Sequence, residues 1–146
     1  MEDFVTFDIA KKLKEKGFDC KYPFAMYDED GDFYPLFTSC DEDEDSKCIF
    51  GKRMYYGYDD FIGDKDAVIA PTISQVLKWL RDEKKIHICI DIYDDGWFFD
   101  IAFFYKEDTG VYEIKLPYKS SKVTPDYDSF EQAALAGIEY TLDNLI

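Results

Sequence analysis

The sequence predicts an α+β fold with a mainly antiparallel sheet, and three observations carry that reading. Apolar residues recur at helical spacing in three separate segments. Apolar residues alternate strictly from Ile86 to Tyr93 and resume from Phe99 to Tyr105, the signature of strands with one buried face. Short turn signals join successive strands, too short for a parallel crossover, so neighbours run antiparallel. The layout expected is a hairpin plus a three-stranded meander, with about three helices, at least two of them packed on one face.

The first helix is expected over Phe7 to Lys16. Thr6 can cap it, because its hydroxyl accepts a free amide of the first turn. Val5, Ile9 and Leu13 fall four apart and form one stripe. Lys11, Lys12, Lys14 and Lys16 gather where the helix dipole favours cations, and Gly17 ends the helix with Phe18 folded back. A hairpin follows, Phe24–Tyr27 and Phe33–Phe37 around Asp30-Gly31, with Pro35 marking an edge or bulge. Cys48–Phe50 and Arg53–Tyr56 offer one further strand interrupted by Gly51, and Tyr58 to Asp66 reads as a loop.

Thr72 and Gln75 form a capping box for a second helix striped by Ile73, Val76, Leu77 and Leu80. The meander comes next. Asp95-Gly96 reads as a two-residue turn that sets Ile92 against Phe99, Ile90 against Ile101, Ile88 against Phe103 and Ile86 against Tyr105. After a second turn near Asp108-Thr109-Gly110, Tyr112, Ile114 and Leu116 are expected on the same face. Asp128 and Glu131 form a capping box for the last helix, whose stripe is Phe130, Ala134, Ile138, Leu142 and Leu145.

Residues 1–146 are read as a single acidic domain. Hydrophobic residues make up 47% and aromatic residues 18%, too much for a disordered chain. The net charge is -15, which repels nucleic-acid phosphate and anionic lipid, so neither is expected as a direct partner. A basic protein surface is the partner such a charge suits. No basic-then-apolar leader opens the sequence and no stretch reaches membrane-spanning length, so the expected setting is cytoplasmic, with Cys20, Cys40, Cys48 and Cys89 reduced.

The register places Asp91 directly opposite Asp100, with His87, Cys89 and Tyr93 on the same mixed face. Like charges across strands repel, so such a pair is relieved by solvent, bridged by a cation or kept with one shared proton. Asp91, Asp100 and His87 are therefore the candidate catalytic residues, and Asp91 and Asp100 the candidate metal ligands. Two solvated carboxylates at a sheet rim are the plainer alternative. Asp28–Asp32 resembles the start of a calcium loop, but Phe33 stands where Gly is needed and Ser39 where Glu is needed, so a hairpin turn accounts for it better. Asp28, Glu29, Asp30, Asp32 and the run Asp41, Glu42, Asp43, Glu44 and Asp45 place nine acids and no base between residues 28 and 45. The run Asp41–Asp45 is the candidate interaction surface, against the plainer reading of a solvated loop. Cysteine spacing and a single histidine give no zinc pattern, and no phosphate loop, dinucleotide fingerprint or nucleophile elbow occurs. Lys78, Arg81, Lys84 and Lys85 read as a solvated helix face. No cofactor is expected.

The opening helix Ile9–Leu13 with Gly17-Phe18, then Ala70-Pro71-Thr72 with Leu77–Leu80, then Ala133–Leu135 with Leu142, form a layout covering about a third of the chain. This layout resembles that of small uncharacterised α+β proteins of gut Bacteroidetes and their phages and mobile elements. The resemblance implies no activity and favours an accessory role in a mobile element. The expectation is thus a non-catalytic accessory or protein-interaction domain using an acidic surface. The alternatives are a nucleic-acid-mimicking inhibitor of a DNA-binding protein, and a cation-binding or hydrolytic enzyme built on Asp91 and Asp100.

Overall fold

The computed structural model describes residues 3–20, 23–36, 49–50, 53–54, 66–94, 96–106, 112–118 and 127–146. Among these it is α+β, with three helices and antiparallel strand pairing. The chain divides into two compact units, Phe4–Thr72 and Met1–Asp3 with Ile73–Ile146.

In the first unit, helix α1 (Phe7–Glu15) starts where Thr6 Oγ1 accepts from the Ile9 amide at 3.4 Å. It ends in a Schellman motif. Gly17 takes the left-handed φ of 83°, its amide donates to Lys14, and the Phe18 amide reaches back to the Leu13 carbonyl at 2.9 Å. Ile9, Ala10 and Leu13 are buried on its inner face. Strands β1 (Ala25–Tyr27) and β2 (Phe33–Pro35) form the expected hairpin, and Pro35 lies on the edge strand, where its missing N–H breaks no ladder. Strands β3 (Ile49–Phe50) and β4 (Arg53–Met54) pair with each other, so they are two strands where one interrupted strand was expected. Strand β5 (Val68–Ile69) pairs with β1 and was not expected at all. Met26, Leu36 and Ala67 pack together with Ile69 as a local core.

In the second unit, helix α2 (Ile73–Glu83) buries Ile73, Val76 and Leu80. Strands β6 (Ile86–Tyr93), β7 (Gly96–Lys106) and β8 (Tyr112–Tyr118) form the meander in the order β6-β7-β8. Its β6–β7 register differs from the sequence expectation by two residues. Tyr93 pairs with Gly96, Ile92 with Trp97, Ile90 with Phe99, Ile88 with Ile101 and Ile86 with Phe103. Tyr93 and Gly96 close the ladder at this end, and Asp94 just beyond Tyr93 adopts a φ of 50°, a left-handed conformation that a short acidic side chain tolerates. Gly96 instead begins β7. Because the offset is even, every side chain keeps its face, and the isoleucine row still meets only apolar partners.

Strand β8 also departs from expectation. Ile114 is registered opposite Phe104 and Tyr112 opposite Lys106, while Lys115 stands opposite Phe103. Tyr112 and Ile114 therefore occupy the positions that alternate with the isoleucine row. Between Phe103 and Ile101 the register slips, and β8 spends one extra residue before Tyr118 meets Ile101. Pro117 lies in that interval, where a residue unable to donate to the ladder fits a bulge.

Helix α3 (Phe130–Asn144) is capped one residue later than expected. Ser129 Oγ accepts from the Gln132 amide at 3.2 Å, and Gln132 Oε1 accepts from the Asp128 amide at 3.1 Å. The buried stripe is Ala133, Ala134, Gly137, Ile138, Thr141 and Leu142. Of the residues expected there, Ala134, Ile138 and Leu142 are buried, whereas Phe130 is exposed. The small residues let α3 lie close over β6 and β7, and α2 packs beside it against β6.

Candidate functional site

The mixed face of β6 and β7 carries His87, Cys89 and Asp91 on one strand and Phe98, Asp100 and Ala102 on the other. The register separates the two carboxylates that the sequence set face to face. Asp91 pairs with Phe98, Asp100 pairs with Cys89, and His87 pairs with Ala102. Asp91 and Asp100 are diagonal neighbours, a relationship that spaces positions about 7–8 Å apart in an antiparallel pair. Asp91 is exposed, and its Oδ1 accepts from the Ile92 amide at 2.8 Å. The geometry for a shared proton, which needs carboxyl oxygens in direct contact, is therefore not the one that the register produces.

What the register does build is a thiol between two carboxylates. Burial pushes the Cys89 thiol above its ordinary range, and the nearby charges of Asp100 and Asp91 push it further the same way. A thiol held protonated is a poor nucleophile and a poor metal ligand at neutral pH. Among the described residues, no group of three or more His, Cys, Asp or Glu side chains is placed to hold a metal ion.

The Asp28 loop is a structural device. Asp28 Oδ1 accepts from the Asp30 and Asp32 amides at 3.0 and 2.9 Å, and Oδ2 accepts from the Tyr34 hydroxyl at 3.0 Å. These hydrogen bonds, led by that from Asp32, hold its carboxyl below the usual carboxylate range. Both oxygens close the hairpin, as the turn reading expects. The run Asp41–Asp45, together with Cys40 and Cys48, lies outside the described residues.

On α2 the basic side chains converge on one acid. Lys78 and Arg81 both pair with Asp82, the Lys85 ammonium donates to the Asp82 carbonyl, and Lys84 sits over the Trp79 ring at 5.1 Å. This agrees with a solvated, internally paired helix face. Helix α2 is too short and too polar to cross a membrane, and so is every other helix of the described residues.

In the sequence the hairpin tip shows only a core pattern, which the structure leaves partly uncovered. Ile92, the last of the isoleucine row, is 55% exposed, and its partner Trp97 meets the Phe130 ring edge-on at 5.7 Å between centroids. The signal that could have found it is charge. Residues 86–105 and 127–146 contain no Lys or Arg.

No protein-family model, no curated protein and no solved structure matches the chain.

Proposed function

We propose that this chain is a non-catalytic accessory or protein-interaction domain that offers a negatively charged surface to a basic protein, in the setting of a phage or other mobile element. The observation that carries the reading is the net charge of -15, concentrated in runs such as Asp41–Asp45 rather than balanced locally. A surface of one sign speeds encounter with an oppositely charged partner and disfavours nucleic acid and a second copy of itself. The mixed face of the meander adds support, because its carboxylates stand opposite Phe98 and Cys89 instead of converging on a reacting group.

The test is affinity capture with the whole chain and with a variant in which Asp41–Asp45 are all changed to the corresponding amides. A basic protein retained by the native chain and lost from the variant is expected. Equal retention by both removes the acidic run from the proposal.

A further inference from the structure

We infer that the β6–β7 tip and the first turn of α3 form a docking surface for a basic peptide segment that carries one apolar anchor residue. The inference rests on the interaction reading above but assigns contact to residues other than Asp41–Asp45. Its floor is apolar and held in place. Ile92 stands opposite Trp97, and the Trp97 ring abuts Phe130, itself 38% exposed. The Trp97 backbone is clamped on its far side by a two-way bridge, its amide donating to the Tyr127 carbonyl at 2.9 Å and the Tyr127 amide donating back at 3.2 Å. A fixed aromatic and aliphatic floor is what an anchoring side chain needs, because little entropy remains to be lost.

The rim supplies the charge. Asp94, next to Ile92 and Trp97 at the end of the hairpin, and Asp128, two residues before Phe130, are exposed, whereas Asp91 lies on the other face of the sheet. The first turn of α3 adds Glu131, and neither of the two segments that build the floor, residues 86–105 and 127–146, contains a Lys or Arg. Lys84 and Lys85 run into the opposite end of β6, about 20 Å from Ile92 at the rise of a strand, and Lys78 and Arg81 are drawn to Asp82. Among the described residues of these two segments, the charges beside the floor, Asp94, Asp128 and Glu131, are all negative. A second copy would bring the same acids and a nucleic acid would bring phosphates, and both are repelled. A Lys- or Arg-flanked apolar residue satisfies floor and rim together.

The experiment is an NMR titration of the full-length chain with a short synthetic peptide of lysines around a central Leu, with a Leu→Ser peptide as control. Shifts are expected at Ile92, Asp94, the Trp97 indole and Phe130. Affinity is expected to fall about tenfold, the scale of an anchor residue, with the Ser peptide or with Ile92→Ser, which should fold because its side chain is largely exposed. The all-amide Asp41–Asp45 variant is expected to keep the shifts at the tip. Peptide shifts confined to Asp41–Asp45 would overturn this inference and leave the proposed function standing. No binding at any site would overturn both. Equal affinity for the two peptides, or tip shifts that grow with protein concentration alone, would also overturn it, the latter by assigning the surface to a second copy.

Discussion

Gly137 lies so close to Ile88 that a Cβ at position 137 would sit 2.8 Å from Ile88 Cγ2, with the Phe99 ring at 3.2 Å. No side chain is accommodated without movement, and Ile88 is a buried β-branched residue on a central row with little freedom to give way. This contact fixes how near α3 comes to the sheet. It also explains the small-residue stripe at Ala133, Gly137 and Thr141.

Gly137→Ala is therefore expected to destabilise the chain. Helix propensity alone favours Ala by about 1 kcal/mol, and overpacking costs about 1–3 kcal/mol. A net loss of about 1 kcal/mol in urea unfolding is expected. The loss should shrink in an Ile88→Ala background, where the offending methyl is gone. Undiminished loss in the double variant would show that the crowding lies elsewhere.

The β6–β7 register is open to a direct check. Cross-strand backbone NOEs are expected between Cys89 and Asp100 and between Asp91 and Phe98. Calcium, magnesium or zinc added in calorimetry should give no binding heat attributable to Asp91 and Asp100. Their Ala variants should be additive in stability within about 0.5 kcal/mol. Strong NOEs joining Asp91 to Asp100, or heat lost in Asp91→Ala, would restore the paired-carboxylate site.

Cys89 is expected to be a slow thiol. In a variant with Ser at positions 20, 40 and 48, iodoacetamide should modify Cys89 at pH 8 more slowly than it modifies a free cysteine. Asp100→Asn should accelerate the reaction severalfold, and Asp91→Asn to a lesser degree, following the order of their influence on the thiol. No change on removing Asp100 would contradict its position opposite Cys89.

Asp28 links hairpin order to pH. Its carboxyl is held below the usual carboxylate range, chiefly by the Asp32 amide. A carboxyl with a depressed folded value stabilises fully above its unfolded value and loses that effect as pH falls through the folded one. Amide protection in residues 28–34 should therefore decline below about pH 4, and Asp28→Asn should flatten that decline. Asp28→Ala should lower protection at neutral pH. A pH-independent hairpin in the native chain would show that the carboxylate does not hold it.

Much of this fold was legible because the strongest patterns have one physical reading. Thr6, Gly17 and the Ile9–Leu13 stripe define α1 almost to the residue, and the isoleucine row defines the buried face of β6. Sequence and structure part where two arrangements satisfy the same rule. Asp95-Gly96 is a strong turn dipeptide, yet Gly96 is already paired with Tyr93 in the ladder, and both registers set apolar residues against apolar residues. Asp128 with Glu131 and Ser129 with Gln132 are both capping boxes one residue apart, and only the second is used. Strand β5 is two residues long, too short for alternation to show. The hairpin tip was missed because Ile92 and Trp97 belong to a row whose other members are mostly covered, and a sequence pattern does not say where α3 begins to cover the sheet.

Attraction between this negative surface and a basic partner underlies the proposed function, and the salt dependence of that binding is its sharpest test. Raising salt from about 0.1 M to about 1 M shortens the screening length from about 10 Å to about 3 Å. Affinity for the captured basic protein is predicted to fall by about tenfold or more over that range. Affinity that holds or rises at high salt would mark apolar contact as the driving force and contradict the account.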